Sequence, residues 1–312
     1  MSVATTGGDA TAADEPPRRC GTTDVHVRLL EQDPGYRGAR AALAQARSAV
    51  TARAAEEVVR IPVVVHVVSA SPEDVTDEQV ASQLAVLNAD FRAANADVSS
   101  VPDVFAPLVA DARVEFVLAS TAPDGTPSSG TTRTTTDVAA FSTDDAVKSA
   151  ATGGADPWPP AEHLNLWVCP LGGGLLGYAQ FPGGPAATDG VVVNLTAFGT
   201  TGTASAPFDL GRTATHEVGH YLDLFHLWGE LQASCEDTDE VDDTPNQRGP
   251  HRGRPEFPQV SCDNGPAGDL FMDYMDYVDD AAMVMFTAGQ VTRMRAALAG
   301  VRAPLAAAGS RS

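Results

Sequence analysis

A chain of 312 residues can form two domains, or one large domain with an appended segment, and can bury a sizeable core. Its 28 glycines and 22 prolines stay well below a low-complexity share, and no apolar run approaches the roughly 18 residues of a membrane helix. A net charge of −21 repels phosphate backbones and anionic lipid surfaces, which argues against nucleic-acid and membrane partners and leaves cationic ones.

The charge is unevenly placed. Residues 1–60 hold eight arginines and eight acidic residues and are neutral, so the whole excess belongs to 61–312. Such asymmetry marks the first 60 residues as a separable unit. Within them, Met1–Pro17 has almost nothing to bury and is expected to be mobile, with no apolar stretch of signal-peptide character. The Ala-rich stretch Arg40–Val59 is expected to be helical.

At Ile61 the character changes to a β-branched run, Ile61–Val68, read as the first strand of the main domain. Thr76 and Gln79 read as a capping box, and Val80, Leu84, Leu87 and Phe91 follow at helical spacing. Val114, Phe116 and Leu118 alternate as a strand does; Leu164–Val168 and Val191–Leu195 are further short strands. A helix is expected over Arg212–Leu222, then an irregular stretch from Leu227 to Asp269 rich in Asp, Pro and Gly. A last helix starts at Thr287, with Gln290 completing a second capping box. No internal repeat is present.

The chemistry concentrates in His216-Glu217-Val218-Gly219-His220-Tyr221-Leu222-Asp223-Leu224-Phe225-His226. Residues four apart share a helix face, so His216 and His220 can present neutral imidazoles to one zinc ion with Glu217 beside them. For His226 to reach the same ion the chain must turn back after Leu222. Asp223 is one of the few residues besides Gly that tolerates the left-handed conformation such a turn needs.

This string resembles the metzincin metalloproteases, whose motif HExxHxxGxxH precedes a Met-containing turn. Phe271-Met272-Asp273-Tyr274-Met275-Asp276-Tyr277 looks like that turn, with Met275 as its methionine. Within the metzincins the likeness is to the pappalysin family and its bacterial ulilysin-like members. It rests also on Leu171-Gly-Gly-Gly-Leu-Leu-Gly177, on Asp243-Thr244-Pro245 and on Asp279-Asp280-Ala-Ala-Met-Val-Met-Phe-Thr287. Two departures stand out: Asp223 replaces the more general Gly, and Ala282 sits where relatives often carry a cysteine. The second implies one disulfide fewer.

The resemblance implies an α+β fold. A mixed twisted sheet and the active-site helix would form an N-terminal catalytic subdomain (61–226). A mostly irregular C-terminal subdomain (227–312) would end in a helix, and residues 1–60 would be a latency prosegment. It implies one catalytic zinc held by His216, His220 and His226, with the fourth position left for water and Glu217 as general base. Tyr277 matches a tyrosine that reaches toward the metal, where its hydroxyl could stabilise an oxyanion; the alternative is a core Tyr with a satisfied hydroxyl. Met275 reads as a packing floor under the histidines, since a soft thioether suits this site poorly.

Four cysteines allow three pairings. The family places a disulfide where Cys235 and Cys262 flank the irregular stretch, and closing that loop would contribute about 3 to 4 kcal/mol. Arg18-Arg19-Cys20-Gly21-Thr22 resembles the cysteine switch of latent metalloproteases, with a free thiol in a floppy tail as the bland alternative. Cys169 reads as a buried strand thiol. His66 and His163 read as structural residues, His26 and His251 as loop or surface positions, and the Asn194 sequon is assigned nothing. Relatives bind calcium near the segment matching Asp239–Thr244, so Asp239, Asp242 and Thr244 are candidate ligands, a solvated acidic loop being the alternative. Asp279 and Asp280 lie where metzincins build the pocket for the residue after the scissile bond, which implies a preference for Arg or Lys.

The reading is a secreted, monomeric zinc endopeptidase acting on proteins or peptides, activated by a cut between Arg47 and Arg60. Its competitors are a zinc-holding binding or adhesion module without turnover, and a zinc hydrolase with Glu as third ligand, which would not need His226.

Overall fold

A computed structural model describes residues 19–46, 57–229 and 234–309; the tail Met1–Pro17 and most of the Arg47–Arg60 window lie outside them. In chain order the elements are β1 (Arg19–Cys20), α1 (Thr22–Gln32), α2 (Pro34–Ala46), β2 (Val59–Ser69), α3 (Asp77–Asp90), β3 (Val114–Leu118), β4 (Thr131–Thr135), β5 (Leu164–Cys169), β6 (Leu175–Ala179), β7 (Val191–Asn194), α4 (Arg212–Tyr221), α5 (Ala288–Ala299) and α6 (Ala303–Ala308).

The seven strands form one mixed sheet in the order β1-β6-β7-β5-β2-β3, with β4 also pairing β2. The long β2 runs parallel to β5 on one side; on the other it pairs β3 along its first half and β4 along its second, both parallel. β7 is parallel to β5, β6 is antiparallel to β7, and β1 is parallel to β6. A central strand covered on both faces reads as a continuous apolar run, which is why Ile61–Val68 carries no alternation.

The pleat sends alternate residues to two cores. Ile61, Val63, Val65 and Val67 of β2 and Leu164, Leu166 and Val168 of β5 pack with Val80, Leu84 and Leu87 of α3, Ala214 and Val218 of α4, and the apolar residues around Met275. Val68, Trp167, Cys169, Tyr178 and Val192 face the other way. They meet Val147 together with Val25, Leu29 and Tyr36 of α1 and α2. The N-terminal helices are thus one cover of the sheet.

The α+β class and mixed sheet hold. Both helix starts predicted from Thr-x-x-Gln are present, but only Thr287 and Gln290 exchange both capping bonds. At α3 the Thr76 hydroxyl accepts from Gln79 N–H while the Gln79 amide is drawn away to Phe198 O (2.7 Å) and Thr203 Oγ1 (2.9 Å). Of the helix expected over Arg40–Val59, residues 40–46 are helical within α2, which already starts at Pro34; residues 47–56 lie outside the described residues, and Val59 belongs to β2, where the β-branched run wins over the Ala-rich context. β1, α1, β4, β6 and α6 had no clear sequence signal. β4 is Thr131-Thr-Arg-Thr-Thr135, with no apolar alternation, and β6 follows three glycines that read as loop.

Candidate metal centre

α4 is buried along its whole length, because one face rests on the sheet and the other is covered by the segment around Met275. Gly219 permits that contact: a Cβ there would lie 2.5 Å from the Met275 sulfur. The helix ends at Tyr221. Leu224 N–H then bonds back to Gly219 O (3.0 Å) across Asp223, which takes φ +83°, the left-handed turn the motif requires.

That turn brings His226 back to the helical pair. His216 Nδ1 donates to Tyr274 O and His220 Nδ1 to Leu224 O, both at 2.7 Å. A carbonyl only accepts, so the proton of each neutral ring sits on Nδ1 and Nε2 carries a lone pair. His220 Nε2 lies 3.1 Å from Nε2 of both His216 and His226. Burial pushes His216 down to about 4 and holds His220 and His226 well below the usual imidazole range, so all three rings are neutral, the form in which imidazole binds a metal. Three converging neutral imidazoles suit a cation. Cys20 Sγ joins the three imidazoles, all four donor atoms within 4.8 Å of one another, and among the described residues no other set of three or more His, Cys, Asp or Glu converges this way. Three nitrogens and one sulfur, all buried, fit four-coordinate zinc. His226 is held flat against Trp228, ring centroids 4.7 Å apart, and Tyr277 stands edge-on to both.

Glu217 is completely buried, and burial pushes its carboxyl up to about 8 despite two hydrogen bonds that favour the charged form. Those bonds come from the N-terminal segment. Thr22 Oγ1 donates to Glu217 Oε2 (2.8 Å) while accepting Ala179 N–H (2.8 Å), and Cys20 Sγ lies 3.4 Å from the same carboxylate oxygen. One threonine therefore caps both Glu217 and the end of β6. Gly21 allows the segment to sit so close, since a Cβ would meet Thr143 at 2.5 Å. Thr22 was invisible in the sequence. A cleft beside His216 and Glu217 is walled by Leu176, Phe208, Thr213, Asp276, Tyr277 and Met283, with Arg19 and Cys20 lying in it.

The structure places the remaining sequence candidates as follows. Cys235 and Cys262 form a disulfide, and Cys169 is a buried thiol of β5. Met275 is fully buried beneath α4. Asp239 is buried, its carboxylate taken up by the Thr244 hydroxyl at 2.8 Å and pushed up to about 7 by burial, whereas Asp242 is exposed. Asp280 Oδ2 accepts Leu210 N–H and Arg212 N–H at the start of α4, and its buried Oδ1 has no hydrogen-bond partner. Asp279 is part-exposed, 3.9 Å from Arg254. His66 and His163 are buried. His251 is part-buried and bonded to Asp269 (2.9 Å). His26 corrects the surface reading: it lies on the inner face of α1, bonded to the Tyr36 hydroxyl (2.6 Å) and edge-on to Phe181. With α1 unrecognised, its apolar face could not be assigned.

The family described as pregnancy-associated plasma protein-A matches residues 153–299. An extracellular metalloprotease of Pyricularia oryzae is 33% identical over 299 residues, covering 91% of this chain and 90% of that protein. Extracellular metalloprotease 1 of Coccidioides posadasii is 42% identical over 138 residues, covering 42% of this chain and 48% of that protein. Among solved structures, a mutant of Tannerella forsythia promirolysin superposes with a TM-score of 0.87 at 42% identity, covering 94% of this chain and 99% of the other. Mature mirolysin in complex with a cleaved peptide gives 0.80 at 46% identity, covering 82% of this chain and 98% of the other.

Proposed function

The chain belongs to the pregnancy-associated plasma protein-A family of metalloproteases, and from that premise we propose that it is a secreted, monomeric zinc endopeptidase made as a latent precursor. The convergence of His216, His220 and His226 beside Glu217 carries this reading. When bound, zinc supplies a Lewis acid that brings the pKa of the attacking water to about 7. His216 and His220 are aimed by their Nδ1 bonds to Tyr274 O and Leu224 O, which fixes which nitrogen faces the centre. Glu217 accepts the water proton as the peptide carbonyl is attacked and returns it to the leaving amine. Tyr277, edge-on to His226, holds a hydroxyl for the developing oxyanion.

Latency is supported by the N-terminal segment itself: Cys20 Sγ converges with the three imidazoles, where it would fill a bound zinc's remaining position, and the Thr22 hydroxyl donates to Glu217. The relatives' extracellular character and the disulfide support secretion. A preference for Arg or Lys after the scissile bond, with Asp279 and Asp280 in the pocket, rests on the resemblance; Asp276 lines the cleft with its carboxylate accepting from Gln247, His251 N–H and Tyr277 N–H. A structural calcium ion near Asp239, Asp242 and Thr244 rests on the family resemblance and on the crowding of carboxylates in that loop.

The test is hydrolysis of casein and of a peptide library by matured wild type and Glu217→Ala, with a chelator control and metal analysis of both. Glu217→Ala should retain one zinc per chain and lose a factor of roughly 100 to 10 000 in rate. Equal activity in the two proteins would refute the mechanism, library cleavage before large apolar residues alone would refute the basic preference, and zinc without calcium would refute the calcium site.

A further inference from the structure

Position 223 needs a left-handed backbone and nothing from its side chain, yet it carries a carboxylate that is 1% exposed. Two guanidinium groups reach it: Arg40 Nη1 of α2 lies 2.5 Å from Asp223 Oδ1, and Arg293 Nε lies 3.5 Å from Oδ2. The Arg40 guanidinium also sits over Phe181 (5.0 Å to the ring centroid) and Phe225 (5.6 Å), two rings that meet edge to face at 5.2 Å. Phe181 in turn stands edge-on to His220 at 5.4 Å. From the opposite side Arg293 of α5 lies over Phe225 (4.4 Å) and donates to Asp223 O (2.5 Å), fixing the wall that Arg40 meets. A carboxylate with two aromatic rings is a receptor for a planar cation; Arg suits it better than Lys.

We propose that Asp223, Phe181 and Phe225 form a guanidinium-binding site built into the turn of the histidine motif. Arg40 is its ligand in the latent chain, making this contact a second anchor of the N-terminal segment. The proposal rests on the latency reading and deepens it. Cys20 lies just before α1 and Arg40 midway along α2, on the same N-terminal segment. Tethering one raises the effective concentration of the other at its own site, so the thiol is held at the histidines partly by a salt bridge made twenty residues away. The substitution of Gly by Asp in the motif then has a function: it makes the turn recognise its own N-terminal segment.

The experiment compares the full chain with Arg40→Gln, Asp223→Asn and Arg37→Gln, an exposed arginine on the same helix. The rate of Cys20 alkylation is followed by mass spectrometry, and buried Cys169 reports on the intact fold. Arg40→Gln should speed Cys20 alkylation by on the order of tenfold, because it removes the buried ion pair that ties α2 to Asp223 and leaves that carboxylate to Arg293 alone. Asp223→Asn, which keeps a residue tolerant of the turn, should do the same, and Arg37→Gln should not. Once cut beyond residue 46, wild type and Arg40→Gln are the same enzyme and must show equal kcat/KM. Cys20 as protected in Arg40→Gln as in wild type overturns the anchor; if Cys169 also becomes reactive in that variant, Asp223→Asn decides by the same criterion. Cys20→Ala separates the two levels: no gain of peptidase activity in the uncut chain sinks the latency reading, whereas a gain with Cys20 still protected in Arg40→Gln sinks the anchor alone.

Discussion

His216, Glu217, His220 and His226 could be picked out of the sequence because helix periodicity and one tight turn bring them together, and both are local. Thr22, Arg40 and the carbonyl of Tyr274 could not: each meets its partner across 58 or more residues, and no spacing rule encodes such a meeting. His251 shows what a single long-range contact does to a titrating group. Its hydrogen bond to Asp269 raises its pKa above the usual imidazole value, so the folded state binds the proton more tightly than the unfolded state. The stabilisation is therefore complete below the unfolded pKa of about 6.5 and is lost as pH rises through the higher folded value. His251→Gln should cost about 1.5 kcal/mol in thermal or denaturant unfolding at pH 5.5, and the difference from wild type should shrink by pH 8.5. A constant gap across that range would show that the imidazolium charge contributes nothing.

Among the elements, those with an apolar signature were legible: β2, α3, β3, β5, β7, α4 and α5. Those held by what they touch were not. β6 begins after a glycine string, and β4 is all Thr and Arg; each exists because a neighbouring strand offers it backbone partners. The helix α4 shows the same dependence within a recognised element. Replacing an interior helical Gly by Ala ordinarily stabilises by up to about 1 kcal/mol. At Gly219 the sign should reverse, because the new methyl would displace Met275, and overpacking of this kind costs about 1 to 3 kcal/mol. Thermal unfolding of Gly219→Ala in the full chain measures this. A midpoint equal to or above wild type would mean that the methionine is not a rigid floor.

For the whole molecule, the charge divides into a neutral beginning and an acidic remainder, which led to the expectation of separable parts; no pattern of residues indicates how many contacts join them. Arg28 pairs with Asp145 and Arg40 with Asp223, so two arginines of the N-terminal helices meet carboxylates of the acidic body. Val25, Leu29 and Tyr36 complete the second core of the sheet. Severing the chain near residue 50 breaks one peptide bond and none of these contacts. Cleavage and gain of activity should therefore run on two separate clocks: the nicked protein stays together and silent, and activity appears after a delay set by dissociation or further digestion of the severed piece. Following cleavage on denaturing gels alongside peptide hydrolysis would reveal the delay, and it should shorten in mild denaturant that loosens the shared core. Simultaneous rise of the two signals would mean that the covalent link itself was the restraint.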